Sequence, residues 1–303
     1  MNLTVGMLKL VGTALLLAQL FGPHVPTAAA QAARSRDLSR GESAAHYRRG
    51  VELYNAGSYR EALAAFKRAA DLDPECAPAF NGVGMASSGL GLYREGVAAL
   101  EQALRLDPTL AAAHYNLGQV YARTGRPREA LSQYREAVRL KPDYAVAYSD
   151  LGSLYVDLGE YGEAVRVLEH ALSLDPRLAD ALNNLGNAYG RSGAPRRAVE
   201  AFRAALRLNP TSALTYANLG AQHYLLKQYR EAEEALTRAV SLDAGLSEAV
   251  FLLGRVHLAR RERGAALAQY ARLKVSNPAL AQKLYSEMMR GKVLDVSGAA
   301  RPD

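Results

Sequence analysis

Seven glycines recur at one fixed spacing. Gly50, Gly84, Gly118, Gly152, Gly186, Gly220 and Gly254 stand 34 residues apart. Pro74, Pro108, Pro142, Pro176 and Pro210 keep the same interval, with Ala244 in the next slot and Pro278 in the last. The period holds from Ser43 to Pro278 without insertion or deletion. A chain written this way folds as a linear array of like units, because self-similarity at a fixed period makes each unit bury its apolar face against its neighbours.

The residues inside one period say what the unit is. Counting from Ser43, Ala77, Ala111, Ala145, Ala179, Ala213 and Ser247, the eighth residue is always Gly, and the twentieth is Ala six times and Gly96 once. Gly inside a helix costs about 1 kcal/mol relative to Ala. Seven such losses in register are consistent with close backbone packing between two helices of one unit. The twenty-fourth residue is large each time: Phe66, Leu100, Tyr134, Leu168, Phe202, Leu236 and Tyr270. These are expected to fill the groove between repeats. Gly57, Gly91, Gly125, Gly159 and Gly193 mark the turn between helices, where a left-handed cap favours Gly. Pro127 and Pro195 follow two residues later, at the start of the second helix, where the missing N–H does no harm. The Asp73-Pro74, Asp107-Pro108 and Asp175-Pro176 pairs close one unit and turn into the next.

A 34-residue helix–turn–helix of this pattern resembles the tetratricopeptide repeat. The resemblance implies an all-α fold: a right-handed superhelix of seven repeats (43–76, 77–110, 111–144, 145–178, 179–212, 213–246 and 247–278). Strand signals are absent. Arg49 stands where later repeats carry Val83, Leu117, Leu151, Leu185, Leu219 and Leu253, which suits a terminal repeat with one exposed face. After Pro278, residues 279–290 place Leu280, Leu284 and Met288 on one face, an amphipathic helix expected to cap the last repeat. Residues 291–303 read as a loose tail.

The chain before the array reads as an export segment. Lys9 precedes the apolar run Leu10–Phe21, and Gly22, Pro23 and Pro26 break it ahead of Thr-Ala-Ala-Ala-Gln-Ala. That order fits a signal peptide over residues 1–32, cleaved after Ala30 or Ala32. The apolar run is short against the ~20 residues of a membrane span. The protein is therefore expected to be exported, periplasmic or secreted. The alternative is a membrane anchor formed by an uncleaved 1–32, the only membrane contact foreseen. Residues 33–42 are expected to be a short flexible leader.

The net charge is +7, unevenly placed. The fourth repeat sets Arg166 and Arg177 against Asp150, Asp157, Glu160, Glu163, Glu169 and Asp175, whereas the seventh is net basic. Such alternation excludes a continuous nucleic-acid track, which needs a basic stripe along one face. Cys76 is the sole cysteine, so neither an internal disulfide nor a cysteine-based zinc site can form. No HExxH, GxSxG or GxxxxGK[ST] motif occurs. Gly82 and Gly84 make only a fragment of GxGxxG. His223 and His257 share the eleventh position with Tyr121, Tyr155 and Tyr189, and are expected to pack as aromatic substitutes rather than bind metal. Neither enzyme activity nor a cofactor is expected.

The resemblance also implies that first helices line a concave groove with their second, fifth, sixth, ninth, twelfth and thirteenth residues. The sixth residues run Arg48, Gly82, Asn116, Asp150, Asn184, Asn218 and Leu252. This is similar to the asparagine ladder of O-GlcNAc transferases, which holds an extended peptide by its backbone; the resemblance implies that binding mode, and no catalytic domain is expected with it. Asn183 and Asn187 add amides beside Asn184. An amide offers donors and an acceptor at once, so it suits an extended backbone, or equally the neighbouring helices. Gln119 belongs to the same face. Arg123, Asp157 and Arg191 occupy thirteenth positions on consecutive repeats, as an ion-pair chain or a clamp for a charged ligand. Tyr224 and Phe251 lie in an apolar C-terminal stretch with Leu214, Leu252 and Leu258, to be covered by a partner helix or by the chain's own 279–290. The expected function is a non-catalytic scaffold binding a protein or peptide segment in the groove. The alternative is a structural part of an envelope assembly, in outer-membrane or pilus biogenesis, docking by other faces.

Overall fold

The computed structural model describes the backbone of residues 28–298, with side chains for Arg34 and residues 37–290. The segment 1–27, which holds most of the expected signal peptide, lies outside the described residues. Among the described residues there are fifteen helices and no strand. They are α1 (Ala28–Asn55), α2 (Tyr59–Leu72), α3 (Ala77–Gly89), α4 (Tyr93–Leu106), α5 (Ala111–Arg123), α6 (Pro127–Leu140), α7 (Ala145–Asp157), α8 (Tyr161–Leu174), α9 (Ala179–Arg191), α10 (Pro195–Leu208), α11 (Ala213–Leu225), α12 (Tyr229–Leu242), α13 (Ser247–Ala259), α14 (Arg263–Ser276) and α15 (Pro278–Gly298). The fold class is all-α, an array of helix–turn–helix repeats. No helix among these is long and apolar enough to cross a membrane.

The chain divides into two compact units, one ending at Asp107 and one beginning at Pro108. In the first, α1 to α4 enclose Phe66, Ala62, Leu63, Val83, Ala86 and Ala99, with Tyr47, Leu53 and Tyr54 packed alongside. Residues 33–42 are helical here and continue into the first repeat as part of α1. The run Ala28 to Ala33 contains only Ala and Gln, strong helix formers. The Ser39 hydroxyl also donates to the Leu72 carbonyl, and the buried Ser43 hydroxyl donates to that of Ala69 at 2.8 Å.

In the second unit, α5 to α14 form five helix pairs. Each second helix buries one face: Ala130, Tyr134 and Ala137 on α6, then Ala164, Val167, Leu168 and Ala171 on α8. The recurring glycine is a place of close approach. A Cβ on Gly118 would lie 2.7 Å from the Tyr134 ring, and one on Gly152 would lie 2.4 Å from Leu168 Cγ. Those distances forbid any side chain without movement of the core. The last pair differs at its glycine, although Tyr270 packs on the same core. Leu284 from α15, not Tyr270, meets the space above Gly254, and Tyr270 stacks on Tyr285 at 5.5 Å. Helix α15 runs past Arg290 to Gly298, over the start of the stretch expected to be loose.

Candidate ligand-binding cleft

Three tyrosines shape the space between α5 and α7. Tyr115 lies on α5, Tyr134 on α6 and Tyr144 just before α7. The Tyr115 ring centroid is 5.9 Å from that of Tyr134 and 5.0 Å from that of Tyr144. The corresponding positions one repeat later hold Ser149, Leu168 and Leu178, and there α7 packs more closely on α9 than it does on α5. A cleft of about 330 Å³ opens between α5 and α7, lined by Gln119, Ala122, Arg123, Tyr134, Asp150, Ser153, Leu154 and Asp157. Tyr134 stands in the lining, and Tyr115 and Tyr144 pack behind it.

Asp150 is the chemical centre of this cleft. Its Oδ2 accepts a hydrogen bond from the Tyr115 hydroxyl at 2.9 Å and one from Gln119 Nε2 at 3.2 Å. Gln119 Nε2 also donates to the Tyr115 oxygen at 2.7 Å. All donors to this carboxylate are neutral, and among the described residues no basic side chain forms an ion pair with it. Burial pushes the Asp150 carboxyl above the usual carboxylate range, and the nearby Asp180 charge adds to the rise; the two donated bonds and Arg123 act the other way. Burial first, then the Asp150 charge, pushes the Tyr115 hydroxyl well up, so it stays a donor. Burial likewise raises Tyr134 and Tyr144, with Asp150 the second cause in each.

The thirteenth-position charges do not form the ion-pair chain weighed from the sequence. Arg123, Asp157 and Arg191 are exposed and form no ion pair among the described residues. Arg123 and Asp157 both border the cleft, so one cation and one anion, neither held in an ion pair, stand at its mouth.

The amides divide into two groups. On α9 and α11 they bond the neighbouring repeat: Thr215 Oγ1 donates to Asn183 Oδ1 at 3.1 Å, and Asn218 Nδ2 donates to Asn187 Oδ1 at 3.1 Å. Asn184 is half-buried and makes no side-chain hydrogen bond among the described residues. Asn116, half-buried on α5, sits within one turn of Gln119 and Tyr115. Tyr224 and Phe251 are brought together elsewhere, around Arg255. The Arg255 guanidinium lies 5.0 Å from the Tyr224 ring and 5.9 Å from that of Phe251, and pairs with Glu287 of α15 at 3.1 Å. Lys283 of α15 lies over Phe251 at 5.2 Å. Phe251 is 8% exposed. The chain's own last helix therefore covers the Phe251 part of the apolar end, whereas Leu214 stays exposed.

Tyr115, Tyr134 and Tyr144 were not among the expected site residues. Tyr115 occupies a fifth position, which the repeat register places on the same face as Asn183 and Phe251. The usable signal is the four tyrosines of that repeat, Tyr115, Tyr121, Tyr134 and Tyr144.

The two eleventh-position histidines are buried at 3% and 7% exposure. His223 Nδ1 bonds Gln228 Oε1 at 2.7 Å, and His257 Nδ1 bonds Glu262 Oε2 at 2.8 Å. Residues 228 and 262 are the sixteenth of their repeats, so both contacts tie the end of a first helix to the start of the second. Glu233, His257 and Glu262 bring donor atoms within 4.8 Å of one another. The Arg260 guanidinium already bridges the two carboxylates, bonding Glu262 at 2.8 Å and also reaching Glu233. It supplies the positive charge a metal would bring, and the neighbouring repeat makes the same contact with a neutral Gln228.

Comparison with known proteins agrees with this architecture. Family models described as tetratricopeptide repeat or TPR repeat match residues 43–76, 84–145, 152–193, 179–212 and 213–245. No curated protein matches the chain in sequence. Among solved structures, the chain is similar to one in the APC/C hetero-tetramer Cut9–Hcn1, with a TM-score of 0.67 and 23% identity, covering 78% of this chain and 47% of that one. The chain thus spans about half the length of that relative. It is also similar to PilW, described as a widely conserved type IV pilus biogenesis factor, with a TM-score of 0.64 and 21% identity over 69% of this chain and 98% of that one. A third is YrrB, described as a TPR protein with an unusual peptide-binding site, with a TM-score of 0.53 and 24% identity over 61% and 96%. At these identities the likeness concerns the fold.

Proposed function

The chain belongs to the tetratricopeptide repeat family, and from that premise we propose that it is an exported, non-catalytic scaffold that holds an extended protein segment in the cleft between α5 and α7. The observation that carries the proposal is the cleft itself: about 330 Å³ of space with a half-buried carboxylate, charges of both signs at its mouth and an amide within one turn. Gln119, Arg123, Asp150 and Asp157 together offer donors and acceptors that an extended backbone, with its own N–H and C=O groups unpaired, can use. Asn116 and Asn184 extend the polar surface on either side. Asn183, Asn187 and Asn218 serve it indirectly, by holding α9 against α11. The pilus role described for PilW and the peptide binding described for YrrB belong to those proteins, and at this identity they lend the fold alone.

Selection of peptides from a randomised display library on the immobilised full chain tests the reading. Peptides enriched on the wild type should be lost on a Ser153→Arg variant, whose long side chain fills the cleft. Enriched peptides that bind both proteins equally would place recognition on another face, as in an envelope-assembly part. Export is tested separately: protein recovered from the envelope fraction should begin after Ala30 or Ala32, and an intact Met1 on cytoplasmic protein would sink that part.

A further inference from the structure

The charge arrangement of the cleft goes further than backbone capture. We infer that the occupant inserts a basic side chain, lysine or arginine, whose cation pairs with Asp150. This rests on the peptide-binding reading above and specifies its ligand.

Four observations carry it. The Asp150 carboxylate is half-buried and forms no ion pair among the described residues, the Arg123 charge acting on it only from the exposed mouth, and an ionised carboxylate taken from water without a paired cation is costly. Its hydrogen bonds both fall on Oδ2, from Tyr115 and Gln119, so Oδ1 is left to accept. Like charges surround it: Asp157 borders the same cleft, and Asp180 stands close enough to raise the Asp150 carboxyl. Last, Tyr134 lines the cleft, and its ring can flank the aliphatic stem or the cation of a long basic side chain. Arg123, also on the lining, opposes a second cation. It is exposed at the mouth and faces two acids on the lining, so the balance there remains negative. An acidic side chain entering instead would meet the Asp150 carboxylate without a counterion and would pay desolvation for repulsion. A neutral one would leave Asp150 as it is.

The same library tests the inference. Peptides selected on the wild type and lost on Ser153→Arg should carry Lys or Arg at one aligned position. In titrations on the full chain, replacing that residue with Gln should weaken binding about tenfold, a loss of ~1.4 kcal/mol. Asp150→Asn, which keeps an acceptor for Tyr115, should abolish the difference between the Lys and Gln peptides. Asp143→Asn, which removes an exposed acid outside the cleft lining, should leave it intact. Cleft-dependent peptides with no basic preference, or with an acidic one, would overturn the inference and leave the scaffold reading standing. Equal losses from Asp143→Asn and Asp150→Asn would also overturn it, reducing the preference to general attraction by an acidic surface. If no peptide depends on the cleft, the scaffold reading fails and this inference with it.

Discussion

Leu284 of the last helix occupies the space above Gly254: its Cδ2 lies 2.6 Å from where a Gly254 Cβ would be. In the four preceding repeats of this unit that space belongs to the twenty-fourth residue, as with Phe202 at 2.6 Å over Gly186 and Leu236 at 2.6 Å over Gly220. Helix α15 therefore completes the final repeat by supplying the side chain that Tyr270 withholds. It joins one core with Ala249, Val250, Leu253, Val256 and Leu273.

Truncating that side chain should damage the end of the array and little else. Leu284 is fully buried, so Leu284→Ala should cost about 2–5 kcal/mol in the last repeats. Coupling runs only between neighbours, so hydrogen exchange should show protection lost after Ala213 and kept at α5 to α8. Uniform loss along the unit would contradict the capping role.

The turns carry a second expectation. Five turns place Gly at positive φ, as at Gly193 with φ 84°, but the last two place Lys227 at 59° and Arg261 at 63°. Side chains with a Cβ are strained in that region, by about 1 kcal/mol. Lys227→Gly and Arg261→Gly should each raise stability by roughly 0.5–1 kcal/mol, whereas Gly193→Ala should lower it by a similar amount. Urea denaturation of the three variants checks the signs.

The inter-repeat amides should behave as a pair. Asn218 donates to Asn187 at 3.1 Å, so a double-mutant cycle on Asn187→Ala and Asn218→Ala should return a coupling of about 0.5–1.5 kcal/mol. Asn184→Ala, which breaks no described hydrogen bond, should leave the melting temperature unchanged or raise it, because Ala is the better helix former. A coupling indistinguishable from zero would mean that the amide rung contributes nothing to the stack.

Asp150 sets a pH dependence with a definite sign. Its folded-state carboxyl is raised above the ordinary value, chiefly by burial. Its contribution to stability is therefore full below the unfolded-state value, about pH 4, and is lost as pH rises through the raised folded value. Asp150→Asn should melt higher than the wild type at neutral pH, with the gap closing as pH falls to about 4. A gap that stayed constant, or widened on acidification, would show that the carboxylate is compensated in the fold.

The sequence by itself determined the repeat: its length, its two helices, the close approach at the eighth and twentieth residues and the Gly turns. Those properties follow from local propensity and from one spacing repeated seven times, and each needs only the residues of one unit and its neighbour. The register also grouped Gln119, Arg123, Asp150 and Asp157 on related positions of successive first helices. Only the tertiary structure decided what those positions do. Whether an amide bonds the next helix or is left unbonded depends on the partner opposite it, and so Asn187 and Asn218 are joined while Asn184 is not. The cleft beside Asp150 takes side chains from α5, α6 and α7, with Tyr115 tied to the carboxylate across the repeat boundary. The space above Gly254 goes to Leu284 because α15 folds back onto α13. Each of these is a contest for one volume or one hydrogen bond between groups distant along the chain, and it is settled only when they are packed together.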